Sequence, residues 1–338
     1  MTNKDSRRAW LAWILICFLV LAGCVQKQAR FYQRDFLAMD TYISCGIWAE
    51  NQEQAELALD QVERVFIEME TLSNRFDAKS QVYQLNQKAG KGPVVVNPDL
   101  IEMVNIALQW TERTQGAFNI LIGSAMDLWG VGAENPRVPE EEEIAAVLPL
   151  MDCSKIIVDV GNSTLFLSQA GMVMDLGGVA KGYAVDQAVL ILQSMGIKDL
   201  VIDAGSNVYT LGRRGDDSPW KIGVQDPRHP EEVVALLEVS NAALASSGDY
   251  QRYFERAGIL YHHILDPATG YPARGSTGTT VIMQSAVEAD ILSTALFVLG
   301  PEQGIALADN LTQVQAALII GADGELYGND SLSRFRLE

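Results

Sequence analysis

Three short stretches of this sequence carry side chains whose types and spacing suit joint chemistry. Asp290 and Thr294 stand four apart, so on a helix they share one face, and a carboxylate and a hydroxyl can then bind one hard cation. His262 and His263 close an apolar segment just before the turn residues Asp266, Pro267, Gly270 and Pro272, where a scaffold presents catalytic groups. If that segment is a strand the two rings face opposite sides, and one of them can enter a given site. The third stretch is Asp175-Leu176-Gly177-Gly178-Val179-Ala180-Lys181-Gly182. Its paired glycines permit a tight turn and close approach to a ligand, the N–H groups of the next helix start can face phosphate, and Lys181 adds positive charge. The glycine spacing is not that of a dinucleotide fold, and Lys181 precedes its glycine instead of following it as in a P-loop. Each stretch also has a plain structural reading, as a polar edge on a buried helix, satisfied histidines at a strand end, and a strand-to-helix turn.

The elements that must hold these groups are legible in outline. Asn51 to Leu72 places Ala55, Leu59, Val62, Phe66 and Met69 at helical spacing behind a capping pair, Asn51 and Gln54. A second helix starts at Asn97-Pro98 and stops at Gly116, and a third follows the glycine loop to Gly196. Strands are expected at 94–96, 156–160, 164–167, 173–175, 200–203, 221–224, 233–239, 279–283 and 316–320. Strands in runs, separated mostly by turns, predict an α+β fold with mostly antiparallel sheet and packed helices in a single large domain.

Formal net charge is −18 over 338 residues, with no basic block, so a nucleic-acid backbone would be repelled. A protein so acidic needs metal ions or backbone N–H groups to hold a polyanionic ligand. The start of the chain reads as a secretory leader: Lys4, Arg7 and Arg8, an apolar run from Ala9 to Leu21, then Leu21-Ala22-Gly23-Cys24. The alternative is an uncleaved anchor, for which the run falls short of the roughly 20 residues that span a bilayer. The expected organisation is a leader over 1–23, a polar tether over 24–35 and a folded domain over 36–338. Cys45 and Cys153 are expected as ordinary buried thiols.

Taken in order, the motifs resemble the ApbE family, the FAD:protein FMN transferases. They are Met39-Asp40-Thr41, Ala117-Phe118-Asn119, Asp127-Leu128-Trp129-Gly130, the Asp175 glycine loop, Asp203-Ala204-Gly205, Ser247-Gly248-Asp249-Tyr250, His262 to Gly270, and Asp290 to Thr294. The resemblance implies contacts to FAD at Met39, Phe76, Ala117, Phe118, Asn119, Asp175, Lys181 and Ile264. It implies a Mg²⁺ site from the Gly178 carbonyl, Asp290 and Thr294, helped by Ser293. The Leu-Ala-Gly-Cys sequence resembles a bacterial lipobox, with Cys24 lipidated and the domain facing the periplasm or the outer surface.

The activity implied is transfer of FMN from FAD to a threonine of an acceptor protein, with release of AMP. Redox-pump subunits and related flavoproteins are the acceptor class. His263 is the candidate base for the threonine proton, because a histidine near neutral pKa can accept it at working pH, and His262 is the second choice. Two other readings stand beside it: an FAD pyrophosphatase, with water in place of the acceptor, and a non-catalytic flavin-binding lipoprotein.

Overall fold

The computed structural model describes residues 29–337. The leader and Cys24 lie outside the described residues, but the second half of the expected tether is ordered sheet. Arg30–Ala38 forms β1, paired antiparallel with β2 (Thr41–Ala49) from Arg30↔Ala49 to Ala38↔Thr41. The segment looked polar and without period because its inward basic residue is matched by acid. Arg34 lies under helix α1 (Gln52–Ser73) and pairs with Glu56 at 2.6 Å and with Asp60, while Phe36 meets Phe66 edge to face. Helix α1 starts at its expected cap: the Asn51 side chain accepts from the Gln54 N–H at 2.9 Å, and the Gln54 side chain accepts from the Glu50 N–H at 3.0 Å.

After α2 (Gln81–Gln87) and β3 (Val94–Val95) comes α3 (Pro98–Arg113), capped by Asn97 and ended near Gly116, whose φ is 89°. Two short helices, α4 (Gly123–Trp129) and α5 (Glu141–Val147), precede β4 (Ile156–Asp159) and β5 (Thr164–Leu167), which join β3 in a small sheet. The expected strand over 173–175 is absent. Its backbone is satisfied by loops instead: Met174 exchanges hydrogen bonds with the Asn86 side chain, and the Asp175 N–H donates to the Ile120 carbonyl.

Helix α6 (Ala180–Ser194) leads into β6 (Leu200–Asp203), β7 (Asn207–Leu211), β8 (Trp220–Gln225), β9 (Val233–Val239) and β10 (Ala242–Gly248). The hairpin of β11 (Tyr253–Arg256) and β12 (Ile259–His262) precedes β13 (Ser276–Met283), α7 (Ala286–Asn310), β14 (Ala316–Gly321) and β15 (Leu326–Gly328). The main sheet has eight strands in the order β1-β2-β6-β7-β10-β13-β14-β15, antiparallel throughout. The fold is α+β, as expected.

The period of two explains the layers. Ala243, Ala245, Val281, Met283, Ala317 and Ile319 point to the helices, while Ala242, Leu244, Ile282, Ala316 and Leu318 point to the β8–β9 hairpin on the opposite face. Strands β13 and β14 are buried along their whole length. Helix α7 is long and apolar enough to cross a membrane by composition, yet here it packs on β10, β13 and β14 and breaks at Gly300-Pro301.

Helices α6 and α7 meet at Gly182, where an added Cβ would lie 2.5 Å from the Ala286 carbonyl oxygen and 2.6 Å from the Val287 Cα. One turn on, the Asp186 carboxylate accepts from the Ala286 N–H at 2.7 Å, the Val287 N–H at 3.1 Å and the Ser285 hydroxyl at 2.8 Å. One helix therefore caps the next. Both clashing atoms at Gly182 are main chain and cannot rotate away. Gly182→Ala is expected to cost roughly 1–3 kcal/mol, read as a lowered midpoint in urea denaturation with an unchanged slope.

Candidate functional site

A cleft opens at one end of the main sheet and helix layer. It is lined by the β1–β2 turn, the end of α1, the loops at 117–119 and 175–181, the end of β10, residues 251–252 and 263–267, and the first turns of α7. Met39, Phe76, Ala117, Phe118, Asn119, Asp175, Gly178, Lys181, His263, Ile264, Asp290 and Thr294 all line it. Residues far apart in sequence thus share one wall system, because the α6–α7 contact sets the glycine loop beside the carboxylate of α7.

The inner end is rich in oxygen. Asp290 is 5 % exposed and accepts from the Gly182 N–H at 3.3 Å; among the described residues no cationic side chain reaches ion-pair distance of it. Burial pushes its pKa up, and the charge of nearby Lys181 pulls it back. A Cβ on Gly178 would come 3.7 Å from the Thr294 hydroxyl, so loop and helix are in contact there. The Ser247 hydroxyl stands 3.3 Å from Thr294 and 2.8 Å from Ser293. Ser293 itself is fully buried, does not line the cleft, and donates to the Asp290 carbonyl at 2.9 Å. It sits behind the oxygen cluster and Ser247 occupies the cleft side, because Ser293 turns to the sheet while Asp290 and Thr294 turn outward. A buried carboxylate without a neutralising side chain, beside two hydroxyls and the Gly178 backbone, is a donor set that fits a hard divalent cation.

The two histidines divide at the end of β12. His262 is buried: its Nδ1 accepts from the Ile264 N–H at 3.2 Å, so Nε2 carries the proton and donates to the Ala273 carbonyl at 2.8 Å. Both nitrogens are spent on backbone, and burial lowers the pKa. His263 follows the strand and faces the cleft. Its Nδ1 donates to the Arg252 carbonyl at 3.3 Å, which leaves the Nε2 lone pair free. Desolvation, with the charge of Arg252 next, pushes its pKa down to about 4, so the ring is neutral at pH 7.

At the mouth, Arg75 holds Asp175 in a 2.6 Å ion pair from Nε, although the N–H is not aligned as a hydrogen bond, and reaches Asp127 at 2.8 Å. Its guanidinium also lies 4.3 Å over the ring of Phe76, which is 72 % exposed. Asn119 lines the cleft with its side chain committed elsewhere. Its amide donates to the Met151 carbonyl at 2.7 Å and accepts from the Leu121 N–H at 2.7 Å, so the side chain braces the loop and only its main chain is free. Met39 and Asp40 form the β1–β2 turn with φ of 54° and 55°, a left-handed pair more often built from Asn and Gly. The Met39 N–H donates to Glu70 at 3.0 Å, which ties this strained turn to α1.

A family model described as the ApbE family matches residues 39–319. The chain belongs to the ApbE family. Among ApbE relatives, a Treponema pallidum protein named FAD:protein FMN transferase is 31 % identical, over 94 % of this chain and 92 % of its own. A Klebsiella pneumoniae protein of the same name is 32 % identical, over 86 % and 89 %. The crystal structure of the ApbE protein of Thermotoga maritima superposes with a TM-score of 0.84 at 32 % identity, covering 91 % of this chain and 100 % of that one. The flavin transferase ApbE of Vibrio cholerae gives 0.80 at 27 % identity, covering 91 % and 99 %.

Several residues of this ApbE cleft were not among the sequence candidates: Glu70, Arg75, Ser246, Ser247 and Arg252. Arg75 adjoins Phe76, and in so acidic a chain an arginine beside a candidate ring is a usable signal. Glu70 carries none, since it reads as one more polar position on α1. His262, by contrast, was a candidate that the fold consumes. His262→Ala strands one buried N–H and one buried carbonyl, and roughly 2–5 kcal/mol of stability should be lost. Thermal melting would register this, whereas His263→Ala should melt close to the parent protein.

Proposed function

We propose that this chain is an FAD:protein FMN transferase, moving FMN from FAD to a threonine of an acceptor protein and releasing AMP. The observation that carries this reading is a single cleft in which a neutral histidine with a free Nε2 faces an oxygen-rich end flanked by Lys181. Gly178, Asp290 and Thr294, with Ser247, would hold Mg²⁺, whose chemistry there is to offset the negative charge of the transferring phosphate. The acceptor hydroxyl oxygen bonds to the FMN phosphorus and the bond from that phosphorus to the AMP oxygen breaks. His263 Nε2 takes the hydroxyl proton, and AMP leaves as an anion beside Lys181. The Arg252 carbonyl fixes the imidazole in the tautomer that step needs. Arg75 and Asp175 would order the flavin end, with Phe76 offering a ring face for stacking.

Redox-pump subunits and related flavoproteins are the proposed acceptor class, and Cys24 is the proposed lipid anchor holding the domain on the periplasmic or outer face. Exchange of Cys24 for Ser should release an active soluble enzyme; a variant that still sediments with membranes after leader removal would count against the anchor.

Transfer is tested by incubating the enzyme with FAD, Mg²⁺ and an acceptor protein, with AMP and FMN-bearing acceptor as readouts. AMP with free FMN and no adduct would identify a hydrolase instead. His263→Ala should bind FAD almost normally and transfer roughly 10² to 10⁴ times more slowly. The pH profile carries a sharper expectation. Because protonation disables the base, kcat/KM of the parent enzyme should fall only as pH drops through about 4, not near the ordinary histidine value. An acid limb at pH 6 to 7 that survives in His263→Ala would assign the base to another group.

A further inference from the structure

Asn207 opens β7 and is 1 % exposed, yet among the described residues neither its Nδ2 nor its Oδ1 has an aligned hydrogen-bond partner. Three other asparagines with little exposure are spent on backbone. Asn86 exchanges two bonds with Met174, Asn119 joins Met151 to Leu121, and Asn329 accepts from the Ala317 N–H. An amide that braces a fold is bonded; one left without aligned partners in the interior points to a role other than bracing. Its position is imposed by the main chain. Asn207 sits opposite Ala245 in the sheet and its carbonyl accepts from the Ala204 N–H at 2.8 Å, so the alternation of β7 turns the side chain toward the helix layer. There the amide faces the Asp290 carboxylate without the alignment of a formed hydrogen bond. Lys181, which lines the cleft, spends one N–H on Ser206 at 3.2 Å and acts on Asp290 through its charge, while the Asn207 amide is the buried side-chain donor turned toward that carboxylate.

We propose that Asn207 is a positioning residue of the cation site: its Nδ2 donates to Asp290 and aims that carboxylate, while its Oδ1 accepts from a water of the cation's shell. This rests on the reading of Asp290 as a cation ligand. Groups that orient a ligating carboxylate govern metal affinity without touching the metal.

The test uses the folded domain and Mg²⁺ alone. Asn207→Leu keeps the branched shape and removes both polar atoms, so without Mg²⁺ it should melt at or above the parent temperature. By titration calorimetry its Mg²⁺ affinity should fall roughly 10- to 100-fold, and the rise in melting temperature on adding Mg²⁺ should shrink with it. Asn207→Ala should show the same loss of affinity and serves if the leucine variant does not fold. Variants that melt lower without Mg²⁺ and bind it as the parent does would make Asn207 a structural amide and overturn the proposal. Asp290→Ala separates the two levels. If it binds Mg²⁺ like the parent, the cation reading has failed; if it loses Mg²⁺ while both Asn207 variants keep it, the inference about Asn207 alone has failed.

Discussion

Everything at the cleft depends on how closely α6 and α7 approach. At Gly182 there is room for a hydrogen atom and not for a methyl group, and one turn further the Asp186 carboxylate closes the start of α7. Loss of either would move the glycine loop relative to Asp290 and Thr294. Gly178 lies in the loop that leads into α6, whereas Asp290 and Thr294 lie on α7, so their separation is a property of this contact and not of either helix alone. The desolvation of Asp290 and the placement of Lys181 above it have the same origin.

The sheet behind the helices supplies rigidity by being covered twice. Strands β13 and β14 bury both faces, one under α7 and one under the β8–β9 hairpin, and β10 alternates between the same two cores. A strand buried on both sides reads as an unbroken apolar run, which is why 279–283 and 316–320 were visible in the sequence. The small residues of β10, Ala242, Ala243 and Ala245, carry little β-propensity, and that strand could not be anticipated. Strands β1 and β2 were missed for another reason. Their outward face mixes Phe31, Gln33, Asp35 and Leu37, and their inward Arg34 is matched by acids on a helix that local sequence cannot see.

Of the site, the parts held by local rules were readable: Asp290 and Thr294 by helical spacing, the glycine loop by composition, the opposite aims of His262 and His263 by strand alternation. His263 is preferred to His262 and lines the cleft, but the reason it does so was not readable. That is decided by Ala273 and Ile264 capturing His262, a contact across a turn. Asn119 lines the cleft while the 151 loop takes its amide, a contact that local sequence does not show.

Strand β1 has a geometric consequence. With a lipid proposed at Cys24, six residue steps separate the membrane from Arg30, a reach of at most roughly 20 Å. From there β1 runs nine residues to Ala38, roughly 26 Å of stiff sheet at the usual rise per residue, and ends at the Met39 turn on the cleft rim. With such an anchor the strand would act as a spacer of fixed length and would confine the reaction to a shell near the bilayer. Acceptors would be selected by how far from the membrane they hold their threonine, before any side chain of theirs is read.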